Sequence, residues 1–232
     1  MRTPATRLLV KDELVGFAKS KVMIVLWVVL PLLATLGYFL IPSPDAAASG
    51  GKKVEIPLTY MMGLLISSLA GTIAAVMVAV DIVSEKNRKV YELFVIRPIP
   101  REAIIWAKFL AVFASVTIAC VASLSVGLVV DLVRGTTLPA GMLTDTFKSL
   151  GSVVGVIAVS AAVGCLFGVL SNSILVAVIL ILYVGQNLAI VPMLPMYLKL
   201  GDQWYWIVLG ITAMCTLAVM LLSGFLFRRA EF

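Results

Sequence analysis

The sequence predicts an all-α integral membrane protein with six transmembrane helices. The first observation behind this is composition. The 232-residue chain is 62% hydrophobic and only 13% charged, with a mean hydropathy of +1.12. Soluble domains run about 45–50% apolar and about 25% charged. The second observation is spacing. Charge-free runs recur at Val22–Ile41, Leu58–Val80, Phe109–Val130, Leu150–Leu170, Ile174–Leu194 and Trp204–Phe227, each 20 to 24 residues long. About 20 helical residues cross a hydrocarbon core of about 30 Å, and only helices or closed barrels satisfy their own backbone there. No connecting segment is long enough for a folded domain, so residues 1–232 read as one transmembrane domain.

Ahead of the first run, residues 4–20 carry Arg7, Lys11, Asp12, Glu13 and Lys19, with Val10, Leu14, Phe17 and Ala18 at helical spacing. This predicts an amphipathic helix lying in the membrane interface. A cleaved leader ending near Ala46–Ala48 is the competing reading. Its hydrophobic region would span about 7–15 residues, shorter than Val22–Ile41.

Basic residues set the orientation. With both ends on one side, that side holds Arg2, Arg7, Lys11, Lys19, Lys21, Lys86, Arg88, Lys89, Arg97, Arg101, Lys108, Arg228 and Arg229. The other holds Lys52, Lys53, Arg134, Lys148 and Lys199. Thirteen against five places both termini in the cytoplasm. The net charge of +6 therefore reads as flanking charge around spans, with no nucleic-acid partner. Residues 42–57 and 131–149 form outer loops, and the three-residue link 171–173 makes spans four and five a tight hairpin.

Several chemistries are excluded or weakened by what the sequence lacks. It has no histidine, which removes imidazole ligands, haem ligation and histidine bases. No residues form a metal-ligand cluster, and no catalytic residue is assigned. Cys120, Cys165 and Cys215 fall within apolar runs and read as small buried hydrophobes. A phosphate-binding G-x-x-x-x-G-K-[ST] loop is absent: the Gly51–Lys52 pair has Ala46 at the first position and Lys53 at the last.

Within the spans, Ser67, Gly71, Ala75 and Ala79 recur every four residues. Small residues at this spacing let helix backbones approach. A transport path, a dimer face and ordinary packing within the chain all fit them. Ser160, Gly164 and Gly168 repeat the pattern, and there packing within the chain is favoured. Asp81 sits at the inner end of span two, where a solvated or Lys/Arg-paired acid is preferred over a transport role. Gln186 and Asn187 interrupt span five ahead of Pro192 and Pro195. Polar amides in lipid need partners. Residues 188–203 form either a re-entrant break or a kinked span end, with Tyr197, Trp204, Tyr205 and Trp206 as an interfacial aromatic belt.

The longest charged interruption between apolar runs is Ser84–Lys108. It opens as a charged helical turn with Glu85, Lys86, Arg88 and Lys89, turns apolar at Val90, Tyr91, Leu93 and Phe94, and is stopped by Pro98 and Pro100. This predicts a short amphipathic helix over 84–97. The order Glu85, a basic residue, Glu92, Pro98, Arg101, Ile104 and Lys108 resembles the region after the second span of type-2 ABC export permeases. In that family a glutamate opens a cytoplasmic coupling helix and a glycine–lysine pair starts the third span. Here the glycine–threonine step is Lys89–Val90, and the glycine before the lysine is Ala107; both substitutions suit a helix.

The resemblance implies the permease subunit of an ATP-driven exporter, with residues 4–20 as its elbow helix. Glu85, Arg88, Val90, Tyr91, Glu92, Leu93 and Phe94 would meet two separate ATPase subunits, which would hold ATP and magnesium. A second copy of the permease, or a paralogous one, would complete the path. Ser67, Gly71, Ala75, Gln186 and Asn187 are the residues for that path or for the dimer face. The cargo expected is amphiphilic: lipid-like, peptide or drug. Two other classes compete. An ion-driven secondary transporter would place carboxylates mid-span and show internal repeats; an accessory membrane subunit would carry no path of its own.

Overall fold

In a computed structural model, residues 3–40, 58–88, 101–133, 140–197 and 201–229 are described, and every regular element among them is helical. The order is α1 (Thr3–Ala18), α2 (Lys21–Leu40), α3 (Leu58–Asn87), α4 (Arg101–Val133), α5 (Ala140–Leu170) and α6 (Ile174–Leu180). A π-helical turn (Ile181–Gly185), α7 (Gln186–Ala189), a 3₁₀ turn (Val191–Met193), α8 (Leu194–Tyr197) and α9 (Asp202–Arg229) follow.

Five helical segments are individually long and apolar enough to cross a membrane, or six if α1 and α2 count as one span bent by 62°. The bend has a local cause. The Ser20 hydroxyl accepts from the Met23 amide at 3.2 Å, supplying an N-cap to α2 and satisfying one of its free donors. The first run is thus helical as expected, and the amphipathic segment before it is a separate helix.

The inner face of α1 differs from the sequence expectation. Leu9 and Phe17 pack against the core with Glu13 between them, while Ala18 is exposed. Leu9, Glu13 and Phe17 stand four residues apart and so share one stripe. A carboxylate that finds a buried cation has displaced a purely apolar face.

The core lies where α3, α4 and α5 meet. Ala70, Ala74, Val78 and Ile82 from α3 join Ile105, Val112 and Val116 from α4 and Val153, Ile157, Ala161 and Cys165 from α5, all buried. The closest pairing is α3 on α5. A Cβ built at Gly71 would come within 2.8 Å of Ser160 Oγ and Val156 Cγ1, and at Gly164 it would overlap the backbone of Ala75. The two small-residue stripes noted in the sequence therefore face each other. Such backbone proximity is what small residues permit between membrane helices.

The remaining segments are peripheral. The span window in α5 is 67% buried, that of Ile174–Met193 only 17%. Ala177 and Ile181 touch the Ala75, Ala79 and Val83 face of α3; Gly185, Pro192 and Met193 are also buried, and most other residues of this segment are exposed. Two expectations are corrected. Cys215 is exposed on α9, whereas Cys120 and Cys165 are buried; α9 packs through Thr212, Thr216, Met220 and Ser223, and Cys215 falls off that stripe. Trp204 and Trp206 are exposed, but Tyr205 turns inward and donates to the Lys148 carbonyl at 2.8 Å. Gly151 leaves the room its ring needs.

Candidate functional site

The charged groups gather at one end of the bundle, around Lys108. This side chain, in the second turn of α4, is 1% exposed, and a lone ammonium buried to that degree would be costly. It is met by three carboxylates from two other helices. Glu85 accepts at 2.8 Å and Glu13 lies at 3.3 Å. Asp81 forms the third and closest ion pair. The acids stay 22–33% exposed, so water shares in their solvation. Of the solvated or Lys/Arg-paired acid expected at Asp81, the structure shows the paired form, with Lys108 as partner. The inward turn of Glu13 to the same lysine had no sequence signal, because its partner lies 95 positions away in the chain.

The helical period explains why this node can form. Asp81 and Glu85 are four apart and fall on one face of α3, at the height where α4 begins its return. Glu13 is carried in by the Leu9–Phe17 stripe of α1. The node thus ties α1, the end of α3 and the start of α4.

Two further links close this end. Lys86 donates to the carbonyls of Val169 at 3.2 Å and Ser171 at 3.5 Å. A cation on the last free carbonyls of α5 is favourable both as a cap and to the helix dipole. Arg228 of α9 reaches Glu102 of α4 at 3.4 Å, an exposed pair of small energetic weight. Its value is as a landmark: the amino-terminal helix and the end of α9 lie at the same end of the bundle as both ends of segment 88–101.

Of the residues expected to meet a partner, Glu85 and Arg88 are described. Ser84–Asn87 belongs to the last turn of α3 instead of opening a separate helix, and Arg88 continues its hydrogen bonding with a bond from its amide to the Ser84 carbonyl at 3.0 Å. Val90, Tyr91, Glu92, Leu93 and Phe94 lie outside the described residues.

The expected path or dimer residues divide into two groups. Ser67, Gly71 and Ala75 are buried within the chain, Ser67 beside the Met193 sulfur and the other two against α5. Gln186 and Asn187 are exposed. The Gln186 amide donates to Thr72 Oγ1 at 2.9 Å, and Thr72 donates to the Ser68 carbonyl at 2.9 Å. Asn187 donates to the Tyr183 carbonyl. Both amides directly follow the π-helical turn Ile181–Gly185. Such a turn inserts a residue into the helical register and is frequent at functional sites. Among the described residues no group of three or more His, Cys, Asp or Glu side chains could hold a metal ion; the three acids at Lys108 surround its ammonium instead.

A family model described as ABC-2 family transporter protein matches residues 7–203. No curated protein matches the chain.

Proposed function

Since the chain belongs to the ABC-2 transporter family, whose members are membrane components working with ABC ATPase subunits, we propose that it is the permease subunit of an ATP-driven exporter. Two ATPase subunits dock on the 84–97 region, and a second copy of the permease completes the path. ATP and magnesium are held by the ATPases. Both termini and the 84–108 segment face the cytoplasm of a cell membrane, in keeping with the thirteen-to-five basic bias. The shared position of Glu13, Glu102 and Arg228 at one end of the bundle supports that arrangement.

The observation carrying this reading is the closed base of the docking segment. Glu85 and Lys108 stand on either side of residues 88–100 and are in contact. A loop clasped at its base transmits a push on its tip to both flanking helices, which a freely hinged loop would not. Residues Val90, Tyr91, Leu93 and Phe94 supply the apolar face that partner helices use in a groove, with Glu85, Arg88 and Glu92 as the charged rim.

α1 acts as the elbow helix in the interface. With Ser67 beside Met193 and Gly71 and Ala75 packed against α5, Gln186 and Asn187 remain as the face for the path or the second copy. Small, apolar and amide side chains suit an amphiphilic cargo, lipid-like, peptide or drug, and they suit a metal ion poorly.

The experiment is copurification. Tagged permease extracted in mild detergent retains an ABC ATPase, and the Leu93→Ala/Phe94→Ala double variant at matched abundance loses most of it. Full retention by the double variant would remove the docking assignment.

A further inference from the structure

We infer that Lys108 is a positioning residue that makes the amino-terminal helix move with the docking segment, with Glu13 as the contact through which α1 is engaged. The inference rests on the docking reading above and adds to it a specific mechanical link. It stands on the Lys108 geometry, which binds Asp81 and Glu85 before the docking segment and Glu13 on a helix remote in sequence.

The charge count makes the link adjustable. One ammonium faces three carboxylates, so no single acid is indispensable for neutralising it. Asp81 and Glu85 share a helix and move together. Glu13 comes from a different helix, stands at the longest of the distances, 3.3 Å, and is the member that a shift of the paired α3 and α4 ends against α1 would stretch first. Coulomb attraction falls with distance and with hydration, so a small displacement of the docking segment alters the Glu13–Lys108 contact more than the two within the hairpin. α1 is otherwise attached to this end mainly through apolar contacts of Leu9 and Phe17, which are non-directional and tolerate sliding. The ion pair supplies the directional hold.

The test uses the full-length permease with its copurified ATPase in nanodiscs. A spin label is placed on α1 at Val15→Cys, an exposed position, in a background with Cys120, Cys165 and Cys215 replaced. In the parent protein, trapping with ATP and vanadate changes the mobility of the label. Glu13→Gln and Lys108→Met keep the ATPase bound but abolish that change, and Lys108→Arg restores it. If the response persists in full in Glu13→Gln, the link is overturned while the docking assignment stands. If no ATPase accompanies the parent protein, the docking assignment itself falls and takes this inference with it. Should Lys108→Met fail to accumulate, Glu13→Gln alone decides, because it leaves two acids on the lysine.

Discussion

Lys108 lies 2.8 Å from Glu85, although 23 positions separate them in the chain. The contact holds the end of α3 against the start of α4, on either side of residues 88–100. The lysine is buried while its acids keep some contact with water, so the node has an energetic asymmetry that mutation will expose.

Removing the lysine should cost far more than removing one acid. Lys108→Met leaves three neighbouring carboxylates with no cation between them. Breaking a buried pair from one side costs about 3–5 kcal/mol, and the partial exposure of these acids puts this case at the lower end. Glu13→Gln removes one of three negative charges and relieves repulsion among the rest, so its effect should be within about 1 kcal/mol. Thermal challenge in detergent, read as the monodisperse fraction surviving, checks this. Equal losses in the two variants would contradict the charge count.

The α3–α5 contact makes a second prediction through two glycines. A Cβ at Gly164 would overlap the Ala75 backbone, which cannot give way like a flexible side chain. Overpacking costs typically about 1–3 kcal/mol, so Gly164→Ala should lower the melting temperature and the yield. Gly210, on α9, has nothing within 4 Å of its built Cβ. Gly210→Ala should be neutral or stabilising by up to about 1 kcal/mol through helix propensity. Comparable losses in both would mean that the close approach is not as described.

These two cases mark what was legible in the sequence. The helical class and the main apolar spans could be read because hydropathy over about 20 residues is a local property. The small-residue stripes could be read as contacts, but their mutual pairing could not: periodicity gives a face and not its neighbour. Asp81 could be read as a solvated or Lys/Arg-paired acid because it sits at the end of its span, but its partner Lys108 could not be named. Glu13 could not be read so, since nothing local distinguishes it from the exposed Asp12 beside it. The inward Tyr205 and outward Cys215 were missed for a related reason, as their orientation depends on where α5 meets α9. The π-helical turn before Gln186 leaves no composition signal at all.

Topology is testable at two sites. Asn87 is exposed at the end of α3, and residue 49 belongs to the loop between the first two apolar runs. In a cysteine-free background, Ser49→Cys should react with a membrane-impermeant maleimide on intact cells. Asn87→Cys should react only after the membrane is opened. Labelling of both from outside would overturn the cytoplasmic placement of the docking segment.

The last prediction concerns the exposed amides Gln186 and Asn187, which follow the π-helical turn. An amide in a span needs a partner, and interhelical hydrogen bonds in membranes are worth about 0.6–2 kcal/mol. Gln186 has Thr72, while Asn187 turns its donor back to the Tyr183 carbonyl and sits exposed on a segment only 17% buried. If this face meets a second copy across a two-fold axis that passes near Asn187, the two Asn187 side chains face each other, as residues at the axis of an isologous contact do. Asn187→Cys, in a background lacking the native cysteines, should then form a disulfide-linked dimer with a mild oxidant in native membranes. Met214→Cys on α9, 73% exposed, should not if the two copies meet through the amides instead of through α9. Gln186→Leu should reduce the Asn187→Cys crosslink severalfold by freeing Thr72 and disturbing the register of the face, with insertion unchanged. Crosslinking of Met214→Cys without Asn187→Cys would move the contact between copies to α9 and leave the amides to another role.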